Sequence, residues 1–87
     1  MYVIVVYDMN TKRVNKMLKL CREYFNWIQN SVLEGEISEV ELKKFKYRAK
    51  QIMIEEEDSL IILKHRSEKW LDKEIVGQEK SGISTMI

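Results

Sequence analysis

The chain opens on Tyr2-Val-Ile-Val-Val-Tyr7, an unbroken run of β-branched and aromatic residues. The run is too short for a buried helix, and its stiff side chains suit a pleated surface. With no polar alternation, it reads as a central strand buried on both faces. A central strand needs a neighbour on each side, so the fold must contain a sheet.

Asp8-Met9-Asn10-Thr11 breaks the pattern, and Thr11 or Asn10 is suited to cap a following helix. That helix is predicted from about Lys12 to Phe25. Val14, Met17, Leu18, Cys21 and Phe25 recur at helical spacing and form one apolar stripe. Lys12, Arg13, Lys16, Lys19 and Arg22 take the other side. Trp27 to Glu36 reads as extended, either a bent strand or a short hairpin through Asn30 and Gly35. Ser38-Glu-Val-Glu41 is a capping box: the Ser hydroxyl accepts from a backbone N–H and the Glu reaches back. The second helix is predicted to run to about Ile54, burying Leu42, Phe45, Ala49, Ile52 and Met53. Asp58 to Leu63 predicts another strand, and Glu68 to Val76 a further one.

Strand, helix, strands, helix, strand is the order of a ferredoxin-like βαββαβ sandwich, an α+β fold. Right-handed crossovers place both helices on one face of the sheet, which brings the basic block of the first helix beside Lys43, Lys44, Lys46, Arg48 and Lys50 of the second. The extra C-terminal strand has no partner in the minimal plan, so pairing with a second subunit is expected. At 87 residues there is room for one domain, taken as 1–76, with 77–87 as a mobile or partner-bound tail. So short a chain buries little surface alone, which also favours a homodimer.

A single cysteine, Cys21, rules out an internal disulfide and a cysteine-based zinc site, and favours a reducing compartment. The first residues lack the basic region and cleavage site of a signal peptide, and no apolar run approaches a membrane span. A cytoplasmic protein without a membrane partner is expected. Net charge is +1, so charge excludes little in total. Its segregation into basic helix faces and acidic clusters at Glu34–Glu41 and Glu55–Asp58 points to an anionic partner.

Two segments carry a family resemblance: Tyr2-Val-Ile-Val-Val-Tyr-Asp8 and Ile28-Gln-Asn-Ser-Val-Leu-Glu-Gly35. Together with the basic helix, Arg13 in its first turn, and Asp58-Ser-Leu-Ile61, they resemble the small second core protein of CRISPR spacer acquisition over roughly residues 2–76. The resemblance implies that Asp8 is the catalytic and metal-binding acid. Two copies of it would face each other across a dimer two-fold and hold Mg²⁺. It also implies two roles. One is metal-dependent cleavage of RNA or DNA. The other is scaffolding, in which the dimer bridges dimers of the CRISPR integrase and binds spacer DNA. Two positions depart from the family pattern. Trp27 stands where many members have Arg or another polar residue, and Leu33 where many have Phe. Both positions are linked with nuclease function in some members.

Lys12, Arg13, Lys16 and Lys19 are the candidate nucleic-acid contacts: Lys12 and Arg13 because cations at a helix N-terminus oppose the dipole unless an anion joins them, and Lys16 and Lys19 as part of the basic helix face. Glu55–Asp58 reads as a solvated loop, His65 as surface, and Tyr7 and Cys21 as packing. A free-standing toxin-type ribonuclease of the related virulence-associated family and a non-enzymatic ferredoxin-like regulatory domain stay open as alternatives.

Overall fold

A computed structural model of the chain describes residues 1–66, 73–78 and 80. The elements run β1 (Tyr2–Asp8), α1 (Thr11–Tyr24), β2 (Asn26–Gln29), β3 (Val32–Glu36), α2 (Glu39–Ile52) and β4 (Ser59–His65). The strands form one sheet in the order β2-β3-β1-β4, and every neighbouring pair is antiparallel. This is the predicted ferredoxin-like plan, with β1 central.

Strand alternation sorts β1 into two faces. Val3, Val5 and Tyr7 point under the helices and are buried; Ile4 and Val6 are only half-buried, and Asp8 is exposed. The expectation of burial on both faces is corrected here. Among the described residues both helices lie on a single face, and none covers the opposite face of the sheet. Cross-strand register completes that open face: Ile4 opposes Leu63, Val6 opposes Ile61 and Asp8 opposes Ser59. Ile61 and Leu63 are 51% and 54% exposed.

The helix layer explains the sequence periodicity and its gaps. Asn10, not Thr11, caps α1, accepting from the Lys12 N–H at 2.9 Å. Met17, Leu20 and Cys21 are buried on α1, while Val14 and Leu18 are partly covered. The stripe expected from spacing omitted Leu20. α1 touches both the sheet and α2, so its buried arc is wider than one stripe. On α2, Leu42, Phe45 and Ala49 are buried; Ile52 and Met53 pack at the margin. Ser38 Oγ accepts from the Glu41 N–H at 3.1 Å, as the capping box requires, but the Glu41 carboxylate turns to Lys44. Phe45 sits edge-on to Phe25, with ring centroids 5.1 Å apart, and to Tyr24 at 5.5 Å.

β2 and β3 form a hairpin whose turn lies at Asn30 and Ser31, not at Gly35, which is inside β3. Asn30 takes a left-handed φ of 44°, a conformation Asn tolerates better than most residues. The Trp27 indole N–H donates to the Asn30 carbonyl and closes the turn. Of the fifth strand expected over Glu68–Val76, residues 73–76 carry no regular secondary structure, and 67–72, including Trp70, lie outside the described residues. Most of the tail, 79 and 81–87, does too. Lys73 reaches back to pair with Glu34, which is buried in β3.

Candidate functional site

The sheet ends β1 at Asp8 because the next residues leave the ladder to start α1. Asp8 is the last rung, opposite Ser59, and its side chain lies on the open sheet face with Ile4 and Val6. Its carboxylate has no hydrogen bond or ion pair among the described residues. That fits a hard, oxygen-preferring cation, because no internal donor competes for its lone pairs. A single copy does not complete a site: among the described residues, no group of three or more His, Cys, Asp or Glu side chains is placed to hold a metal ion.

Directly behind Asp8 lies a cluster that sequence spacing did not reveal. The Asp58 side chain is fully buried, and it accepts from Arg13 Nε at 2.7 Å and Arg13 Nη2 at 3.0 Å. It also accepts from the backbone N–H of Asn10 at 3.0 Å and of Ile54 at 2.9 Å. Arg13 Nη2 extends to Glu57 at 2.8 Å. The Arg13 guanidinium, with the two backbone donors, holds the Asp58 carboxyl well below the usual carboxylate range and outweighs the desolvation that opposes it. The acidic run is therefore divided. Glu55 and Glu56 are solvated as expected, whereas Asp58 is a buried acceptor joining three segments. Bidentate Arg–carboxylate geometry is the only signal that would have suggested it, and it needs coordinates.

The other candidate cations separate from Arg13. Lys12, Lys16 and Lys19 are exposed on α1 and have no ion pair among the described residues. Lys16, Lys19 and Glu23 of α1 line an open groove between α1 and α2, with Arg48 and Gln51 of α2 on its other wall. Arg48 is occupied: it grips Glu23 at 2.7 and 3.1 Å and donates to the Tyr24 hydroxyl at 3.3 Å. That pairing lowers the pKa of Glu23. The two helices pack together on one sheet face, but of the basic block of α2 only Arg48 lines the groove with Lys16 and Lys19; Lys46 and Lys50 line a separate hollow with Met53, Glu55 and Leu60. Asp8 lies on the other face, near the N-terminal end of α1.

The two departures from the family pattern fall on the helix side. Leu33 pairs with Val5 and is fully buried in the core; Trp27 pairs with Leu33. Arg22 lies 5.8 Å over the Trp27 ring. Neither side chain shares the face of Asp8. Tyr7 is buried beneath the helices, and burial raises its pKa. Burial likewise pushes the Cys21 thiol up to about 12, as expected for a packing residue. His65, expected at the surface, is half-buried opposite Tyr2 at the far end of the ladder.

A βαββαβ sandwich whose central strand ends in an acid without a partner among the described residues, on the sheet face away from the helices, defines a ferredoxin-like protein. The family model described as CRISPR associated protein Cas2 matches residues 1–73, and this chain belongs to that family. The CRISPR-associated endoribonuclease Cas2 of Dictyoglomus turgidum is 49% identical over 81 residues, 93% of this chain and 93% of that protein. A crystal structure of cas2 superimposes with a TM-score of 0.85 at 47% identity, covering 93% of this chain and 91% of that one. The structure of Streptococcus pyogenes Cas2 at pH 6.5 gives 0.74 at 32% identity, covering 87% and 100%. No helix among the described residues is long and apolar enough to cross a membrane.

Proposed function

We propose that the chain is a metal-dependent endonuclease that acts as a homodimer, with single-stranded RNA as its substrate. The observation that carries this is the placement of Asp8. Its carboxylate is exposed and has no partner among the described residues, and it shares one sheet face with Ile4, Val6, Ile61 and Leu63. A two-fold joining that face would bury the apolar side chains and bring two carboxylates together. The names of the relatives, which describe endoribonucleases, support RNA as substrate.

Asp8 from each protomer would hold Mg²⁺ through carboxylate oxygens. Held there, such an ion would supply Lewis-acid chemistry for phosphodiester cleavage. The rest falls to the protein. Burial of Ile61 and Leu63 fixes the two chains, and the β1–β4 ladder sets where each acid points. Lys12, with its ammonium exposed at the N-terminus of α1, attracts the phosphate backbone from the same end of the molecule.

A second role is supported by a separate observation: Lys16 and Lys19, without an ion pair among the described residues, lie in the α1–α2 groove, on the opposite side of the sheet from Asp8. A surface apart from the cleavage site suits duplex binding through backbone contacts, so the dimer would also hold spacer DNA and bridge dimers of the CRISPR integrase. Lys12, Arg13, Lys16 and Lys19 are the residues assigned to nucleic acid, with Arg13 the one whose guanidinium already serves Asp58.

The deciding experiment compares wild type with Asp8→Ala on single-stranded RNA and duplex DNA, with and without Mg²⁺. Loss of cleavage in Asp8→Ala, with duplex binding and integrase assembly retained, is the expected result. Undiminished cleavage by Asp8→Ala would remove Asp8 from the reaction. Absence of cleavage by either protein would leave the scaffold as the whole function.

A further inference from the structure

The unexplained feature beside the site is Asp58. A fully buried carboxylate with four donors around it is an unusual investment for a loop residue of a small domain, since buried acids occur almost always for a reason of charge or geometry. Its partners locate the reason. Asn10 belongs to the turn directly after Asp8, Arg13 to the first turn of α1, and Ile54 to the segment leaving α2. Asp58 itself precedes Ser59, which is the cross-strand partner of Asp8. Asp8 is thus bracketed. On its own strand the next turn is tied to Asp58 through the Asn10 N–H, and on the neighbouring strand the opposite residue follows Asp58 in the chain.

A ladder frays first at its last rung, and Asp8 is that rung. We propose that Asp58, locked by Arg13, is a positioning residue for Asp8: the pair pins the β1–α1 turn and so fixes the direction of the Asp8 carboxylate. This rests on the reading that paired Asp8 side chains hold a divalent cation. Two-fold symmetry sharpens the requirement, because any drift of the acid in one chain is repeated in the other. Mg²⁺ demands near-ideal octahedral geometry and tolerates such drift poorly. The Asn10 side chain relays the lock into α1. Its Oδ1 accepts from the Lys12 N–H at 2.9 Å, and its carbonyl accepts from the Arg13 N–H at 2.9 Å.

The test uses Asp58→Asn in the full chain, because residue 58 is buried and cannot itself touch nucleic acid. Mn²⁺ binding is measured by electron paramagnetic resonance without any nucleic acid, alongside amide hydrogen exchange. Wild type is expected to bind Mn²⁺ in a manner abolished by Asp8→Ala. Asp58→Asn is expected to weaken that binding about 10-fold or more, the range typical for groups that orient a ligand. The amides of Lys12 and Arg13, bonded to Asn10 and not to residue 58, should exchange faster, while those of β3 keep their protection. Arg13→Lys, which retains one charged donor, should fall between the two in both readouts, and it also serves where Asp58→Asn does not fold. Wild-type Mn²⁺ affinity in Asp58→Asn would overturn the proposal. So would exchange that rises equally in β3, which would mean only a general loss of stability. If wild type shows no Asp8-dependent Mn²⁺ binding, the metal reading fails instead. The exchange pattern then decides the positioning role alone, and unchanged rates at Lys12 and Arg13 refute it.

Discussion

Removing single lysines from α1 should change how steeply duplex binding depends on salt. Lys12, Lys16 and Lys19 are exposed, unpaired among the described residues and placed on one helix face, whereas Arg48 across the groove is neutralised by Glu23. With a rise of about 1.5 Å per residue, Lys12 to Lys19 spans roughly 10 Å of helix, enough to track successive phosphates. Setting the number of phosphates neutralised at about 3 gives a log–log salt slope of about −2.7 for duplex DNA. Affinity should then fall roughly 40-fold between about 50 and 200 mM salt. Lys16→Gln should reduce the slope by about 1, so that the same salt change costs only about 12-fold. Fluorescence anisotropy of a labelled duplex, titrated at four or five salt concentrations, reads the slope directly. A slope unchanged by Lys16→Gln would show that the α1 face does not contact DNA, and the groove would lose its assigned role. Glu23→Gln offers the converse control: freeing Arg48 should steepen the slope.

Phe45→Ala removes a fully buried ring that packs edge-on against Phe25 and Tyr24, and should cost about 3–5 kcal/mol. For a domain of this size that corresponds to a drop on the order of 15–25 °C in Tm, followed by circular dichroism at fixed protein concentration; a drop under about 5 °C would contradict the packing described. Asp58 titrates abnormally low in the folded chain, first because of Arg13, so its contribution to stability is full above its ordinary value of 3.8 and is lost as pH falls below that. Asp58→Asn should therefore flatten the acid limb of the stability curve below about pH 4 and leave its shape near neutrality unchanged; urea midpoints across pH check this. Ile61→Glu with Leu63→Glu places charges on the open sheet face and should yield a folded monomer in sedimentation, because both side chains are already half-exposed in one chain. Retention of a dimer would move the interface elsewhere.

Elements set by local periodicity were legible from sequence. β1, both helices, the Ser38 cap and the Leu60–Leu63 strand follow from spacing and capping chemistry, and their observed bounds differ by a residue or two. Features that depend on how many neighbours an element has were not. Leu20 is buried because α1 is covered from two sides, and Ile4 and Val6 are half-open because one face of the sheet has no helices. The candidacy of Asp8 rests on family resemblance, and strand alternation explains which way it faces. The Arg13–Asp58 pair was hidden because the two residues are 45 positions apart, and each looked like one more charge in a charged run. The meaning of Leu33 also required coordinates: a departure from the family pattern with a suspected bearing on cleavage proves to be a core side chain on the opposite face from the acid.

The alternation of β1 has a consequence for how this chain can vary over evolution. Successive residues of a strand point to opposite sides, so Asp8 reaches the open face only because it stands an even number of places from Ile4 and Val6. Substitutions upstream change packing by degrees. Insertion or loss of one residue between Val6 and Asp8 is different in kind: it would turn the acid beneath the helices, beside the buried Tyr7 position, and aim an apolar side chain outward. Spacing in this stretch is thus a stricter inheritance than residue identity. Exchange among Val, Ile and Leu should be tolerated at the half-open positions 4 and 6, while a change in the count should not.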